Sequence, residues 1–418
     1  MASTPDIRSM HILFLTDNFP PEVNAPASRT FEHCREWVKA GHRVTVITSA
    51  PNFPKGKVFE GYRNRIWQRE TMAGIDVIRV WTYITANEGF AKRTLDYVSY
   101  MVTGFLVSLF VQRVDVIVGT SPQFFTVCAA YASSVFKRVP WVFELRDIWP
   151  ESIRAVGAMK QGKVLNLLEK VELFLYRKAG AIVAVTNASR TSLMRRGING
   201  DKIHVVTNGV DISRFAPREK DAKLQKKLGL QGKFVAGYIG THGLAHALDT
   251  LLDAAKALKT APDGDRFRII LVGDGANKAL LRQRAQIEGL DNVVFVESVS
   301  KDQVVRYWSI LDVSVIHLKK DELFTTVIPS KLFECMGMAI PVLYGVEGES
   351  ADIVEREEVG LLFEPESPEA LVAGLRRLSD DSELLARYRA NGPVSAKRYD
   401  RSSLAVAMLK ILKTQAER

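Results

Sequence analysis

Cysteine is scarce in this sequence: 418 residues contain three, Cys34, Cys128 and Cys335. Their number and wide spacing exclude a disulfide framework and a cysteine-based zinc site. Free thiols are typical of a reducing compartment, so we expect a cytoplasmic protein. No signal peptide is visible, and we treat the polar residues 1–9 as a tag or short extension outside the fold.

Excess negative charge is also lacking. The formal net charge is +10, and residues 1–210 carry all of it, with 27 Lys and Arg against 17 Asp and Glu. Residues 211–418 contain 30 of each and are neutral overall. This asymmetry predicts an anionic partner for the first half alone.

A glycine-rich phosphate loop is missing from the first predicted turn. The apolar run His11–Leu15 predicts a strand, an amphipathic helix extends to about Ala40, and a second strand covers Val44–Thr48. This βαβ order predicts a parallel sheet. The intervening residues 18–29 contain Pro20, Pro21 and Pro26 and no glycine, which excludes a dinucleotide-binding fingerprint.

Turn residues at Asn208-Gly209 mark a boundary, after which a second series of strands and helices begins. We therefore predict an α/β protein with two doubly wound domains facing across a cleft. The first covers 1–207 and the second 208–395, while a terminal helix over 396–418 packs back on the first domain. Further strands are predicted at 114–119, 141–145, 181–185, 203–206, 234–239, 267–272, 293–296, 313–316 and 342–343.

The stretch Thr325–Pro341 predicts a loop that leads into a helix, with Pro329 in the first turn. Lys331 and Glu334 lie about one turn apart on one face. A lysine near a helix N-terminus is disfavoured by the helix dipole unless an anion binds there. A phosphate at Lys331 and a sugar diol at Glu334 would describe a nucleotide. The alternative is a surface helix with an ordinary charge pair.

Small residues follow two strands of the second half. Gly240-Thr241-His242-Gly243 comes directly after one strand, and Gly273-Asp274-Gly275 repeats this arrangement one unit later. Such loops let backbone N–H groups approach a phosphate closely. His242 has two readings, a phosphate contact or a packed or capping side chain.

Charged residues also follow a strand of the first half, at Arg146 and Asp147. Ligands bind at the carboxyl ends of parallel strands, so these residues are candidates for substrate contact. A structural ion pair is the alternative. Glu22 and Arg29, in the 19–29 loop, are further candidates for acceptor binding.

Basic and aromatic residues alternate over residues 53–69, and the fifteen residues Tyr97–Val111 carry no charge. No nucleic-acid-binding motif accompanies the first segment. An anionic membrane surface suits it, and a solvated loop is the alternative. The second segment is shorter than the ~18–20 residues of a membrane span. It predicts a helix that is either interfacial or buried in the core.

Three motifs together resemble family 4 glycosyltransferases. They are Asn208-Gly-Val-Asp211 with Phe215-Ala-Pro217, then Leu271–Gly275 with Leu290–Phe295, and Pro329–Glu334 followed by Pro341-Val342. FPPE at 19–22 and RDIWPES at 146–152 resemble the bacterial branch that builds O-antigen and capsule polysaccharides, which includes N-acetyl-L-fucosamine transferases.

The resemblance implies a GT-B fold with an acceptor domain followed by a nucleotide-sugar domain. It implies metal-independent transfer with retention of configuration, without any other cofactor. We expect a UDP-linked donor that carries an N-acetylated amino or deoxyamino sugar. From the basic first half and the segments 53–69 and Tyr97–Val111, we expect the acceptor to be a polyprenyl-diphosphate-linked saccharide at the inner face of the membrane. Glu334 would bind the ribose, and Gly240–Gly243 and Lys331 the diphosphate. Asp274 and Ser330 complete the donor-binding set.

The sequence departs from the family pattern at two places. Thr326 stands eight residues before Glu334, where the family has a glutamate, and Arg146-Asp147 stand where the family has a histidine. Lys331, the 240–243 backbone and His242 remain to stabilise the departing diphosphate, since fixed cations and dipoles usually do this. Asp147 is a candidate to assist the acceptor hydroxyl.

A metal site at Asp263-Gly-Asp265 is not expected, because this pair with the spacing of a DxD motif lies in a turn before a strand. Two other functions remain open. One is a non-hydrolysing nucleotide-sugar epimerase, which shares the two-domain shape. The other is an inactive binding subunit of a membrane assembly, which the missing glutamate would explain. Nucleic acid is not an expected partner.

Overall fold

The computed structural model describes residues 9–53, 56–85, 90–148 and 162–418. The chain forms two compact units. One consists of Met1–Thr207 together with Arg401–Arg418, and the other of Asn208–Asp400.

The strands are β1 (His11–Leu15), β2 (Arg43–Ser49), β3 (Trp67–Met72), β4 (Ile75–Val80), β5 (Val116–Thr120), β6 (Trp141–Leu145), β7 (Ala181–Ala184), β8 (Ile203–Val205), β9 (Phe234–Ile239), β10 (Phe267–Val272), β11 (Val293–Val296), β12 (Val313–His317), β13 (Val342–Gly345) and β14 (Gly360–Leu362).

The described helices are α1 (Ala25–Lys39), α2 (Phe90–Ser108), α3 (Phe124–Lys137), α4 (Lys163–Lys178), α5 (Asn187–Arg195), α6 (Ala222–Lys227), α7 (Asp249–Lys259), α8 (Lys278–Ile287), α9 (Lys301–Ser309), α10 (Lys331–Gly337), α11 (Glu349–Arg356), α12 (Pro368–Asp380), α13 (Ser382–Ala396) and α14 (Arg401–Ala416). Among them, none is long and apolar enough to cross a membrane.

The first unit contains an eight-stranded sheet in the order β3-β4-β2-β1-β5-β6-β7-β8. All neighbouring strands are parallel except β3 and β4, which form an antiparallel hairpin. Every residue of β1 is buried, as expected for a strand covered on both faces. Leu13 and Leu15 join an apolar core with α2 and α3, whereas Ile12 and Phe14 join one with α1 and α14.

The second unit contains a six-stranded, fully parallel sheet in the order β11-β10-β9-β12-β13-β14. Its two faces are also covered. Ala236 and Tyr238 of β9 join one apolar core with α7, and Val235 and Ile239 join the other. Each unit is therefore doubly wound, with its parallel strand ends at one edge of the sheet.

The last helix, α14, completes the first unit. Its Met408 and Leu412 are fully buried in the core that contains Trp37. The indole Nε1 of Trp37 donates to the carbonyl oxygen of Ala405 at 2.8 Å. Arg401 at the start of the helix forms an ion pair with Glu32 of α1.

Several local expectations differ from the structure. A solvated loop was one of the two readings of the 53–69 segment, but its last residues belong to a strand: Trp67 starts β3, which turns back through Ala73 and Gly74 into β4. Pro329 lies before α10, which begins at Lys331 with Ser330 as its N-cap residue. The terminal helix begins at Arg401 instead of residue 396, because Ala396 ends α13 and a short 3-10 turn separates the two helices. Residues 54–55 and 149–152, which carry parts of the predicted motifs, lie outside the described residues.

Candidate active site

Two glycine-containing loops pack against each other at the ends of β9 and β10 in the second unit. Gly273 has φ of +145°, and a Cβ there would lie 1.9 Å from the carbonyl oxygen of Gly240. A Cβ on Gly275 would lie 2.5 Å from the carbonyl oxygen of His242. Glycine is therefore required at both positions, since any side chain would push the two loops apart. The predicted loops 240–243 and 273–275 thus form one structure.

Two of the four backbone amides in the 240–243 loop form hydrogen bonds within the protein, and two do not. The Gly240 amide donates to the carbonyl of Val272 at 2.9 Å, and the His242 amide to that of Asp274 at 2.9 Å. The amides of Thr241 and Gly243 donate to no acceptor within the described residues. Among the described residues, these two amides remain available to an anion. The sequence predicted that all four residues of the loop bind the phosphate, whereas only two of their amides can do so in this structure.

Lys331 lies beside this loop. Its Nζ is 3.8 Å from the centroid of the Tyr238 ring, and a Cβ on Gly240 would lie 2.7 Å from the same atom. Within the described residues it makes no hydrogen bond and no ion pair. Burial lowers the pKa of Lys331 to about 8, opposed by the nearby Cys335 and Glu334. The positive charge of Lys331 is therefore only partly compensated by the protein, as expected at a site that binds an anion.

His242 is buried between these groups. Its side chain is fully buried, its ring is 5.9 Å from that of Tyr238, and neither ring nitrogen has a hydrogen-bond partner among the described residues. Burial, followed by the charges of Lys278 and Lys331, lowers the pKa of His242 to about 4. A buried polar group without a partner is costly, so an incoming ligand oxygen would satisfy it. A purely packed histidine is thus the weaker of the two readings.

Lys278 supports the loops from behind. Its Nζ donates to the carbonyl of Gly273 at 2.7 Å and pairs with Glu297 at 2.6 Å. Lys278 is 7% exposed, so its ammonium group contacts the loop and Glu297 and has little contact with solvent. Asp274 accepts the Gly275 amide on its own side chain at 2.8 Å, which shapes the second loop.

Helix α10 carries the remaining donor candidates. Glu334 is half-buried one turn after Lys331, and Ser330 makes no side-chain capping bond. Thr326, which replaces the family glutamate, donates its hydroxyl to the carbonyl of Leu323 at 2.8 Å. That hydroxyl is thus engaged in a local turn and cannot supply the carboxylate that the family pattern places there.

His317 and the acidic pair Asp263 and Asp265 are structural. His317 bonds the carbonyl of His246 at 3.1 Å and accepts the amide of Glu366 at 2.8 Å, so both its nitrogens are used. Asp263 pairs with Arg376, and Asp265 with Lys233 and Arg268. Among the described residues, no group of three or more His, Cys, Asp or Glu is arranged to hold a metal ion.

In the first unit, Arg146 and Asp147 follow β6, and Ser121 follows the neighbouring strand β5. The Ser121 hydroxyl accepts the Arg146 amide at 2.9 Å and fixes this strand end. The Arg146 guanidinium is half-buried and has one long bond, 3.5 Å to the carbonyl of Pro26. Burial lowers the pKa of Arg146 to about 10 and raises the pKa of Asp147, although Arg146 opposes the latter shift. Both residues therefore remain candidates at this edge.

Arg29 is held inside the first unit. Its guanidinium is 1% exposed, pairs with Glu144 at 2.9 Å and donates to the carbonyls of Val206 and Thr207. These bonds tie α1 to the ends of β6 and β8. Arg29 is thus a structural residue and not the acceptor contact that its place in the 19–29 loop suggested.

Glu22 is also largely structural. One carboxylate oxygen accepts the amides of Asn52 and Phe53, both at 2.8 Å, and the side chain is 4% exposed. Burial raises the pKa of Glu22. Its second oxygen is buried without a partner among the described residues. Glu22 therefore positions the loop after β2 and reaches no open surface.

Asp17 is a residue that the sequence reasoning passed over. It lies two residues after the end of β1, which is next to β5 in the sheet, and no donor contacts its half-buried carboxylate within the described part of the chain. Burial raises the pKa of Asp17 well above its usual value, and Asp96 and Glu22 add to the shift. Burial also raises the pKa of Asp96 to about 6. The detectable signal was a carboxylate two residues after the first buried strand.

Two known families match the two units. Residues 27–214 match "Glycosyltransferase Family 4" and residues 220–394 match "Glycosyl transferases group 1". Together they cover most of the chain. This protein is a glycosyltransferase made of a Family 4 domain and a group 1 domain.

Curated relatives extend over the same range. WcaI of Escherichia coli (strain K12), provisionally assigned as a colanic acid biosynthesis glycosyl transferase, is 27% identical over 381 residues, which cover 88% of this chain and 92% of WcaI. A GDP-mannose-dependent alpha-mannosyltransferase of Mycobacterium tuberculosis (strain CDC 1551 / Oshkosh) is 23% identical and covers 87% of both chains.

Solved structures show the same fold. The crystal structure of Anabaena Alr3699/HepE in complex with UDP and glucose superposes with a TM-score of 0.72 at 19% identity, over 97% of this chain and 99% of that one. The predicted GT-B fold of this glycosyltransferase is therefore confirmed.

Proposed function

We propose that this glycosyltransferase moves a sugar from a nucleotide-diphosphate sugar to a lipid-linked saccharide during bacterial surface polysaccharide synthesis. One observation carries the proposal: the half-buried ammonium of Lys331 lies against Gly240 at the open loop of a group 1 domain without an acidic partner among the described residues. The relationship to WcaI supports the polysaccharide context.

The leaving diphosphate would bind between Lys331 and the 240–243 loop. As the glycosidic bond breaks, negative charge grows on the phosphate oxygens, and preorganised donors stabilise it without having to reorient. Three groups are placed for this: the ammonium of Lys331 and the amides of Thr241 and Gly243. The His242 ring would supply a fourth, donating from a nitrogen that has no partner among the described residues.

The nucleoside would extend along α10, with Glu334 accepting hydroxyl protons from the ribose. A spacing of three residues places Glu334 one turn beyond the diphosphate contact. We propose a UDP-linked donor, which the UDP complex of Alr3699/HepE supports, although the mannosyltransferase relatives use GDP-mannose. We propose that the transferred sugar is an N-acetylated amino or deoxyamino sugar, which the resemblance to N-acetyl-L-fucosamine transferases supports.

We further propose that transfer proceeds with retention of configuration and without a metal. The cation and amides around the diphosphate replace the charge that a metal would provide. In such a transfer the departing phosphate can accept the proton of the acceptor hydroxyl. Asp147 and Asp17, near the strand ends of the first unit, would then orient that hydroxyl; burial raises the pKa of both carboxyl groups.

The acceptor is a polyprenyl-diphosphate-linked saccharide, reached from the inner face of the membrane. The concentration of the net charge of +10 in the first half supports docking on anionic lipid. Among the described residues, Arg146 is a half-buried cation at the sheet edge of that unit, and it would contact the acceptor diphosphate. Binding to anionic vesicles should therefore weaken as the ionic strength rises.

The test is reconstitution with defined substrates. The purified protein is incubated with UDP- and GDP-linked sugars, with and without lipid-linked saccharides, and the products are identified by mass spectrometry. Transfer that needs the acceptor supports the proposal. Conversion of the donor alone would identify an epimerase, and donor binding without turnover on any acceptor would identify an inactive binding subunit.

A further inference from the structure

Exposed apolar side chains are concentrated on helix α2 and on the ends of β3 and α3 in the first unit. We call this set the α2 face, and it consists of Ile66, Trp67, Leu95, Val102, Leu106, Phe110, Val135 and Phe136. Three of these side chains are very open, with Ile66 78%, Phe110 70% and Phe136 65% exposed. Large apolar patches of this kind are rare on monomeric proteins and mark interaction sites.

The α2 face is built from three elements that are distant in sequence. Leu95, Val102 and Leu106 share one stripe of α2, and Phe110 follows one turn later. The ring of Phe110 packs edge-on against Trp67 of β3, with centroids 5.6 Å apart. At the other side, Phe105 packs against Phe136 at the end of α3, at 6.3 Å.

The opposite side of α2 is fastened to the sheet, so the face cannot simply turn inwards. Tyr100 is fully buried and donates its hydroxyl to the carbonyls of Thr16 and Ile47, at 3.0 and 2.8 Å. Lys137 donates to the carbonyls of Leu109 and Val111, which caps the turn after the helix. The exposed residues are therefore held outward by a rigid support.

Cations flank this surface. Arg63 and Arg65 precede Ile66 and Trp67, Arg113 follows Phe110, and Arg138 follows Phe136; all four are exposed. None of them forms an ion pair within the part of the chain that the structure describes. An apolar surface with a basic edge matches an anionic bilayer, in which apolar groups enter the acyl boundary and cations meet the headgroups. The same charges would repel a second copy of this chain.

We propose that the α2 face inserts into an anionic lipid bilayer and orients the first unit on the membrane. This inference rests on the proposed function in naming the membrane as the place of the acceptor. It adds that the contact is apolar as well as electrostatic. Attachment should therefore persist in part at about 0.5 M NaCl, where the Debye length falls to roughly 4 Å and charge attraction alone would be lost.

The test compares flotation on phosphatidylcholine vesicles with and without phosphatidylglycerol. The full-length protein should float on the anionic vesicles and retain part of this binding at high salt. The variant Leu106→Ser/Phe110→Ser/Phe136→Ser should bind the anionic vesicles at least about tenfold more weakly, because each substitution removes apolar area that would be buried in the bilayer. A matched control, Leu280→Ser/Ile287→Ser, alters two equally exposed residues of α8 in the second unit and should float like the unaltered protein.

A second readout locates the contact. Trp67 is 40% exposed, so brominated lipids should quench its fluorescence, and Trp67→Phe should remove most of that quenching. Circular dichroism of each variant checks folding. Transfer to a short-chain, water-soluble acceptor without vesicles should be unchanged in the triple variant, which separates membrane attachment from catalysis.

Four results would overturn the inference: the unaltered protein fails to float on anionic vesicles, the triple variant floats like it, all binding disappears at high salt, or quenching is absent. Self-association through the α2 face without vesicle binding, seen by light scattering, would also overturn it. If the protein floats as expected but transfers no sugar to any acceptor, the proposed function fails and the α2 face inference stands.

Discussion

Replacing Lys331 by methionine should weaken the binding of a nucleoside diphosphate. Methionine keeps an unbranched stem over the Tyr238 ring and removes the charge that lies 3.8 Å from its centroid. Hydrogen bonds to charged groups contribute about 1.5–3 kcal/mol, so the Kd for UDP should rise about 10- to 150-fold. The loss should appear in affinity without loss of folding, because Lys331 makes no ion pair within the described residues.

The pH dependence of UDP binding tests the role of Lys331 independently. Burial lowers the pKa of Lys331 to about 8, so the amine is charged below that pH and neutral above it. A bound diphosphate favours the charged form and raises this pKa. Affinity should therefore be full below pH 8 and fall above it. At about one pH unit above the free pKa, binding must first protonate the amine, which costs about 1.4 kcal/mol, or about tenfold in Kd.

Isothermal titration calorimetry with UDP measures both effects. Titrations in buffers of different ionisation enthalpy should reveal proton uptake on binding at alkaline pH, approaching one proton, and little uptake near neutrality. Lys331→Met should remove the alkaline uptake. The matched control is Lys226→Met, an exposed lysine of α6. Equal affinity and equal proton uptake in the unaltered and Lys331→Met proteins would refute the assignment of Lys331 to the diphosphate.

Four further outcomes are expected. Glu334→Ala should weaken UDP binding by about 1–3 kcal/mol in calorimetry, and unchanged affinity in a folded variant would contradict its ribose contact. EDTA should leave the transfer rate unaltered, whereas loss of activity restored by magnesium or manganese would disprove metal independence. Asp17→Asn should lower kcat without changing the donor Kd; if only Asp147→Asn does so, Asp147 is the residue that orients the acceptor. Leu412→Ala should lower the free energy of unfolding by about 2–5 kcal/mol in urea, while Val406→Ala, exposed on the same helix, should change it by less than about 0.5 kcal/mol.

Most of the parallel strands were predictable because they are buried on both faces and appear as continuous apolar runs. The parallel strands β4 and β14 were not predicted. The predicted strands 234–239 and 267–272 have the bounds found in the structure. The β3–β4 hairpin was missed because β3 is an edge strand with alternating exposure and no apolar run. Its signal was the Ala73-Gly74 turn, where both residues have positive φ between two alternating segments.

Some residues of the candidate site could also be predicted from the sequence, and others could not. Loop glycines and Lys331 could be chosen from sequence because their chemistry is local to a strand end or a helix start. The role of Arg29 could not, since its partner Glu144 is 115 residues away and only the fold brings them together. Glu22 and Arg29 carry the charge expected of substrate contacts, but burial converts both into structural groups. Burial, which is a property of the tertiary structure, decides between the two readings.

The same reasoning separates Lys331 from an ordinary structural lysine. A lysine that merely stabilises the fold would be held by a carboxylate or by carbonyl oxygens, as Lys278 is held by Glu297 and the Gly273 carbonyl. Lys331 contacts the face of the Tyr238 ring and makes no ion pair within the described residues, and burial lowers its pKa to about 8 against the opposing effect of Cys335 and Glu334. Nearby, the amides of Thr241 and Gly243 and the His242 ring also have no hydrogen-bond acceptor among the described residues. One anionic group with several oxygens would satisfy all of them, and a diphosphate is such a group.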